Sequence, residues 1–311
     1  HTSLVSGLLN AAVGLLSTYV LVPESEDERR GMGRARLRAV FVVVVLGLAL
    51  FEGRRLTSMA EAQSFGGPVI HSPTSPYQRI VLSERGAGFA LHLNRNLQFS
   101  SLDEHRYHEA LVHPAMAAVA SPRRVLVGGG GDGLAVREIL RWPEVERVVL
   151  VDLDPAVTDL ARTNDRLVAQ NRAALADPKV SVVNADAMSF IADSSERFDV
   201  VVLDFPDPSN YSVGKLYSTT LYTKVRRLLA PGGKLVVQST SPLLARRSFW
   251  CVVSTLRTSG FTVMPYRVFV PSFADWGFVL AGLESFDRPT RLPPAALAYL
   301  DPRTLEHLFD L

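Results

Sequence analysis

The segment RRVLVGGGGDGLAVREILRWPEVERVVLVDLDP, residues 123–155, decides the fold of this chain. An apolar strand at residues 125–127 runs into a glycine-rich stretch, a helical pattern follows, and a second apolar strand at residues 148–151 ends at Asp152. Gly129 and Gly131 let the backbone turn tightly and approach a ligand, and an acid after the second strand can accept two hydrogen bonds from a ribose diol. The segment therefore predicts the first βαβ unit of a nucleotide-binding, doubly wound sheet.

The same alternation continues toward the C-terminus. KVSVVNADAMSFI (residues 179–191) supplies a third strand, and FDVVVLD (residues 198–204) supplies a fourth. A helix near residues 217–229, a strand at 234–239 and a helix at 243–259 complete the pattern. Alternating strands and helices predict an α/β fold with a mainly parallel sheet, whose ligands bind at the carboxyl ends of the strands. Four acids should then converge on one crevice: Asp132, Asp152, Asp186 and Asp204.

Asp132 indicates which nucleotide this crevice holds. A pyrophosphate on the helix N-terminus would face its carboxylate, which disfavours a dinucleotide. A ligand with a cationic tail suits the acid instead, and adenosine sulfonium compounds such as S-adenosylmethionine meet that condition. Asp186 follows the third strand, where an acid can accept from an adenine amino group. We therefore expect the Rossmann-like fold of S-adenosylmethionine-dependent transferases.

Composition excludes several other classes of protein. The chain has 311 residues, with 33 basic and 31 acidic side chains and a formal net charge of +2. It carries no Lys/Arg stripe with interleaved aromatics, so we predict no nucleic-acid partner. A single cysteine, Cys251, rules out an internal disulfide, and its apolar surroundings predict a buried thiol. His105, His108 and His113 lack acids at metal-ligand spacing, so we interpret them as surface or packing residues and predict no metal.

Two apolar runs near the N-terminus predict membrane helices. Residues 4–22 carry no charge and contain several small residues. Residues 39–51 are short for a span and need snorkelling arginines to lengthen it, so a core helix is the alternative. Because the chain starts with His1, we expect residues 1–55 to be the C-terminal part of a longer membrane region. The arginines between the runs would place the following domain outside the cytoplasm by the positive-inside rule.

The remaining boundaries follow from composition. Residues 56–76 become rich in Gly, Ser and Pro and predict a linker. Short alternating runs then predict β-hairpins in a small domain at residues 77–118, ahead of the Rossmann-like domain at 119–290. The tail at residues 291–311 predicts a short amphipathic helix that docks on this domain, with binding of a partner as the alternative. Trp250, Trp276 and Phe278 are expected in the core.

Three stretches together resemble the spermidine synthases, which are polyamine aminopropyltransferases: VLVGGGGDGLAVREIL (residues 125–140), DEHRYHEALVHPAM (103–116) and the Asp-x-x-Asp after residue 203. The apolar runs upstream resemble the membrane-anchored bacterial branch of this family. The resemblance covers roughly residues 77–282. It implies transfer of an aminopropyl group from decarboxylated S-adenosylmethionine to putrescine or a similar amine, giving spermidine and methylthioadenosine. It implies no further cofactor and is compatible with a homodimer, and its cytosolic substrates favour an inner-membrane protein whose catalytic domain faces the cytoplasm.

The resemblance also assigns roles on the donor side of the site. Asp132 would hold the aminopropyl ammonium, Asp152 the ribose hydroxyls, and Asp186 with Ala187 the adenine. The family has Asp-Gly where this chain has Asp186-Ala187. The full set of expected donor-binding residues is Gln78, Gly129, Gly131, Asp132, Asp152, Asp186 and Ala187.

On the acceptor side, Asp204 resembles the catalytic acid and Asp207 an acceptor-binding partner on a loop that closes over the site. Tyr107 would lie beside the reacting amine, and Glu109 follows it in the same motif. Phe273 stands where the family usually has a tyrosine, which makes the acceptor pocket more apolar. Because a primary amine is mostly protonated at neutral pH, a carboxylate that binds it and removes its proton frees the attacking lone pair.

Other interpretations of the same residues stay open. Asp and Pro are ordinary turn formers, so Asp204 and Asp207 alone are compatible with a structural bend. A methyltransferase would share the sheet and the adenosine, although its donor carries a carboxylate that Asp132 would repel. A non-catalytic, membrane-attached polyamine or nucleoside sensor would keep Asp132 and Asp152 without needing a base at Asp204.

Overall fold

The computed structural model describes residues 2–21, 25–208 and 211–311. The chain separates into two compact units. The first comprises His1–Ser72 with Val81–Gly86, and the second comprises Pro73–Ile80 with Ala87–Leu311. All of the acids predicted to form the crevice belong to the second unit.

Two helices and a strand pair form the first unit. They are α1 (Thr2–Val20), α2 (Glu26–Ser64), β1 (Val69–His71) and β2 (Ile80–Arg85). The strands β1 and β2 are antiparallel. Arg36 on α2 donates to the Thr18 carbonyl at 2.7 Å and lies 4.3 Å from the centre of the Tyr19 ring, which joins α2 to α1.

This helical region differs from the prediction. In the part of the chain that the structure describes, no helix is long and apolar enough to cross a membrane. The predicted spans at residues 4–22 and 39–51 are therefore not supported, and Val22 lies outside the described residues. The second run is short and is flanked by charged turns of α2.

The length of α2 corrects two further boundaries. The arginine-rich stretch expected to be a loop between the spans is helical, and residues 56–64 of the expected linker are the last turns of the same helix. No proline interrupts the sequence between Pro23 and Pro68, and Ala, Arg, Leu and Glu favour a helix over most of this stretch.

The second unit begins with an antiparallel pair and then alternates strands with helices. The pair is β3 (Gly88–Leu93) with β4 (Asn96–Ser100), which confirms the predicted antiparallel region. The later strands are β5 (Arg124–Gly129), β6 (Arg147–Asp152), β7 (Val180–Asn184), β8 (Phe198–Asp204), β9 (Leu229–Gln238), β10 (Thr262–Val270) and β11 (Ala274–Gly282). The helices are α3 (Glu104–Ala117), α4 (Leu134–Ile139), α5 (Pro155–Thr163), α6 (Asp165–Asn171), α7 (Ala187–Asp193), α8 (Tyr211–Gly214), α9 (Thr219–Leu228), α10 (Arg246–Thr258) and α11 (Pro302–His307).

A seven-stranded sheet has the order β10-β11-β9-β8-β5-β6-β7. Strands β5 to β9 are parallel, and β10 and β11 add an antiparallel edge. The chain leaves β5 toward β6 on one side, and β8 lies against β5 on the other side. This reversal is the topological switch point at which ligands bind. The register pairs Gly129 with Asp204 and Asp152 with Asn184, so the predicted acids lie along one edge of the sheet.

The core covers both faces of this sheet, but three residues that were expected to be buried are not fully buried: Trp250, Cys251 and Trp276. Phe278 is fully buried as expected, but Trp250 is 42% exposed and Cys251 is exposed. The buried stripe of α10 consists of Phe249, Val252, Val253 and Leu256, at helical spacing. Positions 250 and 251 therefore face solvent.

At the C-terminus, α11 buries Leu305, and the residues after it bury Leu308 and Phe309. The Phe309 ring lies 4.9 Å from the Tyr266 ring, so the tail packs against β10.

Candidate active site

The glycine loop after β5 brings backbone and carboxylates into close contact. Gly129 has φ +79°, and a side chain there would collide with the Asp204 carbonyl. A Cβ on Gly131 would lie 2.6 Å from Asp152 Oδ2. The Gly131 N–H instead donates to that oxygen at 3.0 Å, and the Asp154 N–H donates to Asp152 Oδ1 at 2.9 Å. These two bonds fix the carboxylate at the end of β6.

Asp132 ends the glycine loop at the start of α4. Its Oδ1 accepts from the Leu134 N–H at 2.9 Å, and its carbonyl accepts from Asn171 Nδ2 at 2.9 Å. Burial raises the pKa of Asp132 to about 6, against the opposing effects of the His108 charge and the Leu134 hydrogen bond. The contacts of the ionised Asp132 carboxylate therefore do not offset the cost of its burial, and a bound cation would stabilise its negative charge.

Asp204 and Tyr107 form the most direct contact between predicted site residues. The Tyr107 hydroxyl donates to Asp204 Oδ1 at 2.6 Å. Burial raises the pKa of Asp204, while the charge of His108 and the tyrosine hydrogen bond lower it. Burial and the neighbouring carboxylates hold the pKa of Tyr107 well above its ordinary value, so the tyrosine remains a donor.

Aromatic rings form the wall beside this pair. The Tyr107 ring centre lies 6.1 Å from Phe273 and 6.4 Å from Trp276, and those two rings are 5.2 Å apart. Phe273 therefore lies beside Tyr107, and its predicted contact with the acceptor stays a prediction. Trp276, which we expected only as a core residue, is half-buried and belongs to the same wall.

The loop after β8 places Asp207 against the end of β9. Gln238 Nε2 donates to Asp207 Oδ1 at 3.0 Å, and Thr240 Oγ1 donates to Oδ2 at 3.3 Å. Gln238 also donates to the Phe205 carbonyl at 2.7 Å, so one side chain anchors both ends of the turn. Thr240 has φ +60°, an uncommon conformation for a β-branched residue. These anchors hold the two acids of the Asp-x-x-Asp in separate environments.

Gln78 reaches the site through a residue that the sequence analysis missed. Its Nε2 donates to Asp154 Oδ2 at 3.0 Å, and the Ser75 hydroxyl donates to the same oxygen at 2.6 Å. Asp154 also caps α5, because its Oδ1 accepts from the Ala156 N–H. An Asp before Pro at a helix start was the signal that could have identified it.

Asp186 differs from the other acids of the edge. It caps α7 by accepting from the Ser189 N–H at 2.9 Å, and Lys215 Nζ lies 2.9 Å from its Oδ2. Burial raises the pKa of Asp186, but the contacts with Lys215 and Ser189 together prevail and lower it. Ala187 is the buried first residue of α7. Glu109, by contrast, accepts three backbone N–H bonds from residues 298–300, so it holds the tail rather than lining the crevice.

Two of the three clustered histidines belong to a buried polar network behind the crevice. His108 Nδ1 lies 2.8 Å from Glu104 Oε2, and His113 Nε2 lies 3.1 Å from Glu138 Oε2. Arg137 joins the two glutamates, donating to Glu104 and Glu138 at 2.7 Å each. The described residues include no group of three or more side chains arranged to hold a metal ion. His113 is fully buried and is hydrogen-bonded to Glu138 and to Trp142, which fits the packing interpretation, and His108 is buried one residue after Tyr107.

Comparisons with known proteins agree with this geometry. The Spermine/spermidine synthase domain matches residues 104–286, which is more than half of the chain. The chain belongs to the spermine/spermidine synthase family. Apart from Gln78, every predicted site residue lies within the matched spermine/spermidine synthase domain.

Relatives and a solved structure support the family over most of the chain. Polyamine aminopropyltransferase 2 of Ralstonia nicotianae is 46% identical over 100% of this chain and 61% of its own length. The polyamine aminopropyltransferase of Leptospira interrogans is 43% identical over 99% of this chain and 61% of its own length. The chain thus spans about three fifths of the length of these relatives. A spermidine synthase solved in complex with the transition state analogue AdoDATO has a TM-score of 0.72 and 27% identity, covering 78% of this chain and 85% of its own.

Proposed function

We propose that this chain transfers the aminopropyl group of decarboxylated S-adenosylmethionine to putrescine or a similar amine, forming spermidine or its analogue and methylthioadenosine. The observation that carries the proposal is the 2.6 Å contact between Tyr107 and Asp204, at the switch point of the sheet and next to the glycine loop that ends in Asp132. Membership of the spermine/spermidine synthase family and the names of its relatives support the same reaction.

The donor would lie across the glycine loop. Asp152 would accept from the ribose hydroxyls, and Asp186 with Ala187 would meet the adenine at the end of β7. The half-buried carboxylate of Asp132 would pair with the aminopropyl ammonium, the only charged group of the tail once the carboxylate of S-adenosylmethionine is lost. A charge-assisted hydrogen bond of this kind is stronger than a neutral one, so Asp132 would select the decarboxylated donor.

The acceptor amine would be activated at Asp204. It enters as an ammonium, and the carboxylate of Asp204 accepts one of its protons, because transfer to a positioned base frees the lone pair. That lone pair attacks the methylene carbon attached to the sulfur, the C–S bond breaks, and its electrons leave on sulfur as neutral methylthioadenosine. Since the leaving group is a cationic sulfonium, the step needs no metal to activate it. Holding both reactants in the crevice supplies much of the rate.

The acceptor pocket combines a charge with an apolar wall. Asp207, oriented by Gln238 and Thr240, would bind the distal ammonium of a diamine. The methylene chain would run along Phe273 and Trp276, whose faces also attract cations. We therefore propose diamines as the acceptor class.

One assay separates this reaction from its alternatives. The protein is incubated with putrescine and either decarboxylated or ordinary S-adenosylmethionine, and methylthioadenosine and S-adenosylhomocysteine are measured. We expect methylthioadenosine from the decarboxylated donor alone. S-adenosylhomocysteine would indicate a methyltransferase, and nucleoside binding without consumption of either donor would indicate a sensor.

The proposed substrates also bear on location. Because both are made in the cytosol, we propose that the second unit faces the cytoplasm. Protease added to intact spheroplasts should leave the chain uncut, and cleavage between residues 65 and 76 would place it on the other side. Inner-membrane attachment and a homodimer stay predictions.

A further inference from the structure

A contact that the proposed reaction does not use ties the tip of the β10–β11 hairpin to the start of α3. The tip comprises residues 271–273. The Ser272 N–H donates to Asp103 Oδ2 at 2.7 Å. The Ser272 hydroxyl lies 2.8 Å from Asp103 Oδ1 and 2.7 Å from Oδ2, and its hydrogen can be donated to either oxygen. Asp103 is buried, and both of its carboxylate oxygens face this serine.

Asp103 occupies the N-cap position of α3 without capping that helix. An aspartate at this position ordinarily accepts from an N–H group in the first turn of its own helix. Within the described residues, the Asp103 side chain makes no such bond, whereas Asp301 at the N-cap of α11 accepts from the Thr304 N–H at 2.6 Å. A buried carboxylate needs hydrogen-bond donors, and Ser272 supplies them in place of the helix. The Asp103 side chain therefore holds the hairpin instead of capping α3.

The hairpin tip lies at the same edge of the sheet as the acids of the crevice. β9 is parallel to β8, so both strands end at this edge. Gln238, the last residue of β9, pairs with Phe278 of β11. Because β11 is antiparallel to β9 and begins at Ala274, its first residues and the tip before them extend past the end of β9. The tip therefore projects beyond the edge at which β8 ends in Asp204.

Two aromatic rings of the wall beside Asp204 are attached directly to this contact. Tyr107 lies one helical turn after Asp103 on α3, and Phe273 directly follows Ser272. The centres of the Tyr107 and Phe273 rings are 6.1 Å apart. If the tip moved away from Asp103, Phe273 would move away from Tyr107 with it.

The rest of the hairpin is held without Asp103. Tyr266 of β10 donates to the Ala110 carbonyl of α3 at 2.8 Å, and β11 is hydrogen-bonded along β9. The residue after the tip, Ala274, has φ +63°, in the left-handed region that residues other than glycine rarely adopt. Loss of the Asp103 contact should therefore release the tip while the strands of the hairpin stay folded.

We propose that Asp103 is a positioning residue that selects the length of the diamine acceptor. Its bonds to Ser272 fix the distance between the Phe273 and Tyr107 rings, and it acts through these rings instead of touching the substrate. This role rests on the proposed function, since it concerns the wall along which the methylene chain of the acceptor would run. The motif at residues 103–116 thus begins with a residue that shapes the acceptor pocket.

A fixed wall discriminates between diamines because both ends of the acceptor are specified. The reacting amine would lie at Asp204 while the distal ammonium binds Asp207, so only one length of methylene chain spans the two acids without strain. In an apolar pocket of fixed shape, one methylene more or less changes kcat/KM by about tenfold or more. When Phe273 is free to move, the pocket adapts to other chain lengths, and this discrimination decreases.

The first test examines the contact itself and needs no activity. In Asp103→Ala, amide hydrogens at residues 271–275 should exchange with solvent at least about tenfold faster than in wild type, because the Ser272 N–H loses its acceptor. Asp301→Ala removes an ordinary helix cap and should keep the wild-type exchange in this segment. Circular dichroism verifies that both variants are folded. Unchanged exchange at residues 271–275 in folded Asp103→Ala overturns the proposal.

The second test measures kcat and KM for diamines with three to six methylenes, at a saturating concentration of decarboxylated S-adenosylmethionine. Wild type should prefer one chain length over the next by about tenfold in kcat/KM. In Asp103→Ala and in Ser272→Ala this preference should fall to about threefold or less, chiefly through the KM for the diamine, while the KM for the donor changes by less than about twofold. Ser272→Thr keeps the hydroxyl and should keep the wild-type preference. If Asp103→Ala does not fold, Ser272→Ala decides.

The outcomes separate this role from the proposed function. Wild type that forms no methylthioadenosine with any diamine would overturn the proposed function and this role together. Active wild type without a preference for chain length would overturn this role alone. So would variants that keep the preference, or that lose kcat equally for every diamine, because a contact that only stabilises the fold would act in that way.

Discussion

Two groups of carboxylates lie on neighbouring elements of the second unit and differ in how they are compensated: Glu104 and Glu138 are buried, and Asp132 and Asp204 are half-buried. Glu104 and Glu138 are joined by Arg137, and their pKa values are lowered despite burial. Asp132 and Asp204 receive few hydrogen bonds, and burial raises their pKa values. The first group forms a complete ion-pair network, whereas in the described part of the chain no arginine or lysine forms an ion pair with Asp132 or Asp204.

The difference shows how the fold prepares a site for cationic ligands. A buried carboxylate without a partner is costly, and a fold that keeps one leaves part of its electrostatic energy to be recovered on binding. The proposed substrates each bring an ammonium, and the donor also brings a sulfonium. The acids of the crevice are then compensated by ligands instead of by arginines.

Asp204→Asn should have the largest effect on activity. It tests whether Asp204 is one of the acids whose charge is balanced by a bound substrate. Loss of the base should lower turnover by about 10²–10⁴-fold while donor affinity survives, and raising the pH should partly restore the rate, since more amine is then neutral. The matched variant Asp207→Asn should chiefly raise the apparent KM for the diamine. Steady-state kinetics with calorimetry measure both effects. Full turnover in Asp204→Asn would mean that the two acids only form a turn. If Asp207→Asn lowered turnover and Asp204→Asn raised the apparent KM, the two roles would be reversed.

Arg137→Met tests whether the ion pairs of Glu104 and Glu138 stabilise the fold. It leaves Glu104 and Glu138 without their shared cation, and breaking a buried pair in this way costs about 3–5 kcal/mol of unfolding free energy. Urea unfolding at pH 7 measures the loss. The exposed pair of Arg147 with Glu196 supplies the control, and Arg147→Met should change stability by about 0.5 kcal/mol or less.

The lowered pKa of Glu104 also predicts how the stability of wild type and of Arg137→Met changes on acidification. Because the folded pKa of Glu104 lies below its ordinary value of 4.5, its contribution to stability is present above that pH and is lost as the pH falls through the folded pKa. Wild type should therefore lose stability on acidification below about pH 4.5 more steeply than Arg137→Met. Equal stability of the two proteins at pH 7 would contradict a structural role for the network.

Asp132→Asn should separate the binding of the aminopropyl tail from the binding of the nucleoside. Loss of a charge-assisted hydrogen bond should weaken decarboxylated S-adenosylmethionine by about 10–100-fold. Methylthioadenosine, which lacks the aminopropyl tail, should bind as before. The variant should also be at least as stable as wild type at pH 7, because it removes a desolvated carboxylate. Equal weakening of both ligands in calorimetry would mean that Asp132 shapes the loop and not the tail pocket.

The smallest expected effect is the pH dependence of wild-type binding. With a pKa of about 6, Asp132 is mostly protonated at pH 5 and mostly ionised at pH 7. The affinity for the decarboxylated donor should therefore rise about tenfold over this interval, with proton release visible in buffers of different ionisation enthalpy. Methylthioadenosine is the control and should show a flat profile. If the affinity for the decarboxylated donor were also independent of pH, Asp132 would not change its protonation in this interval and would belong with Glu104 and Glu138.

The positions of the crevice acids follow largely from the sequence because they depend on local patterns. Short apolar strands that each end in an acid, with a glycine loop after the first, fix both the sheet and the edge on which Asp152 and Asp204 lie. The family resemblance places Tyr107 and Asp204 at the same amine, but it does not predict their direct contact, and the two residues are 97 positions apart in the sequence.

The structural network was invisible in the sequence for a physical reason. Glu104, Arg137 and Gln170 come from three separate helices, and only packing of those helices brings their side chains together. His108 was judged by metal-ligand spacing, which does not detect a histidine paired with a glutamate one helical turn away. The exposure of Cys251 was missed because an apolar neighbourhood in sequence does not reveal which stripe of a helix is buried.

The place of β8 in the sheet has a consequence for local opening. β8 is hydrogen-bonded on both sides, to β5 and β9, whereas β7 is an edge strand bonded only to β6. Amide hydrogens at residues 200–203 should therefore exchange with solvent only when the whole unit unfolds, and those of β7 should exchange through smaller openings. The end of the crevice expected to hold adenine can thus loosen to admit or release a nucleoside, while the strand that carries Asp204 stays closed.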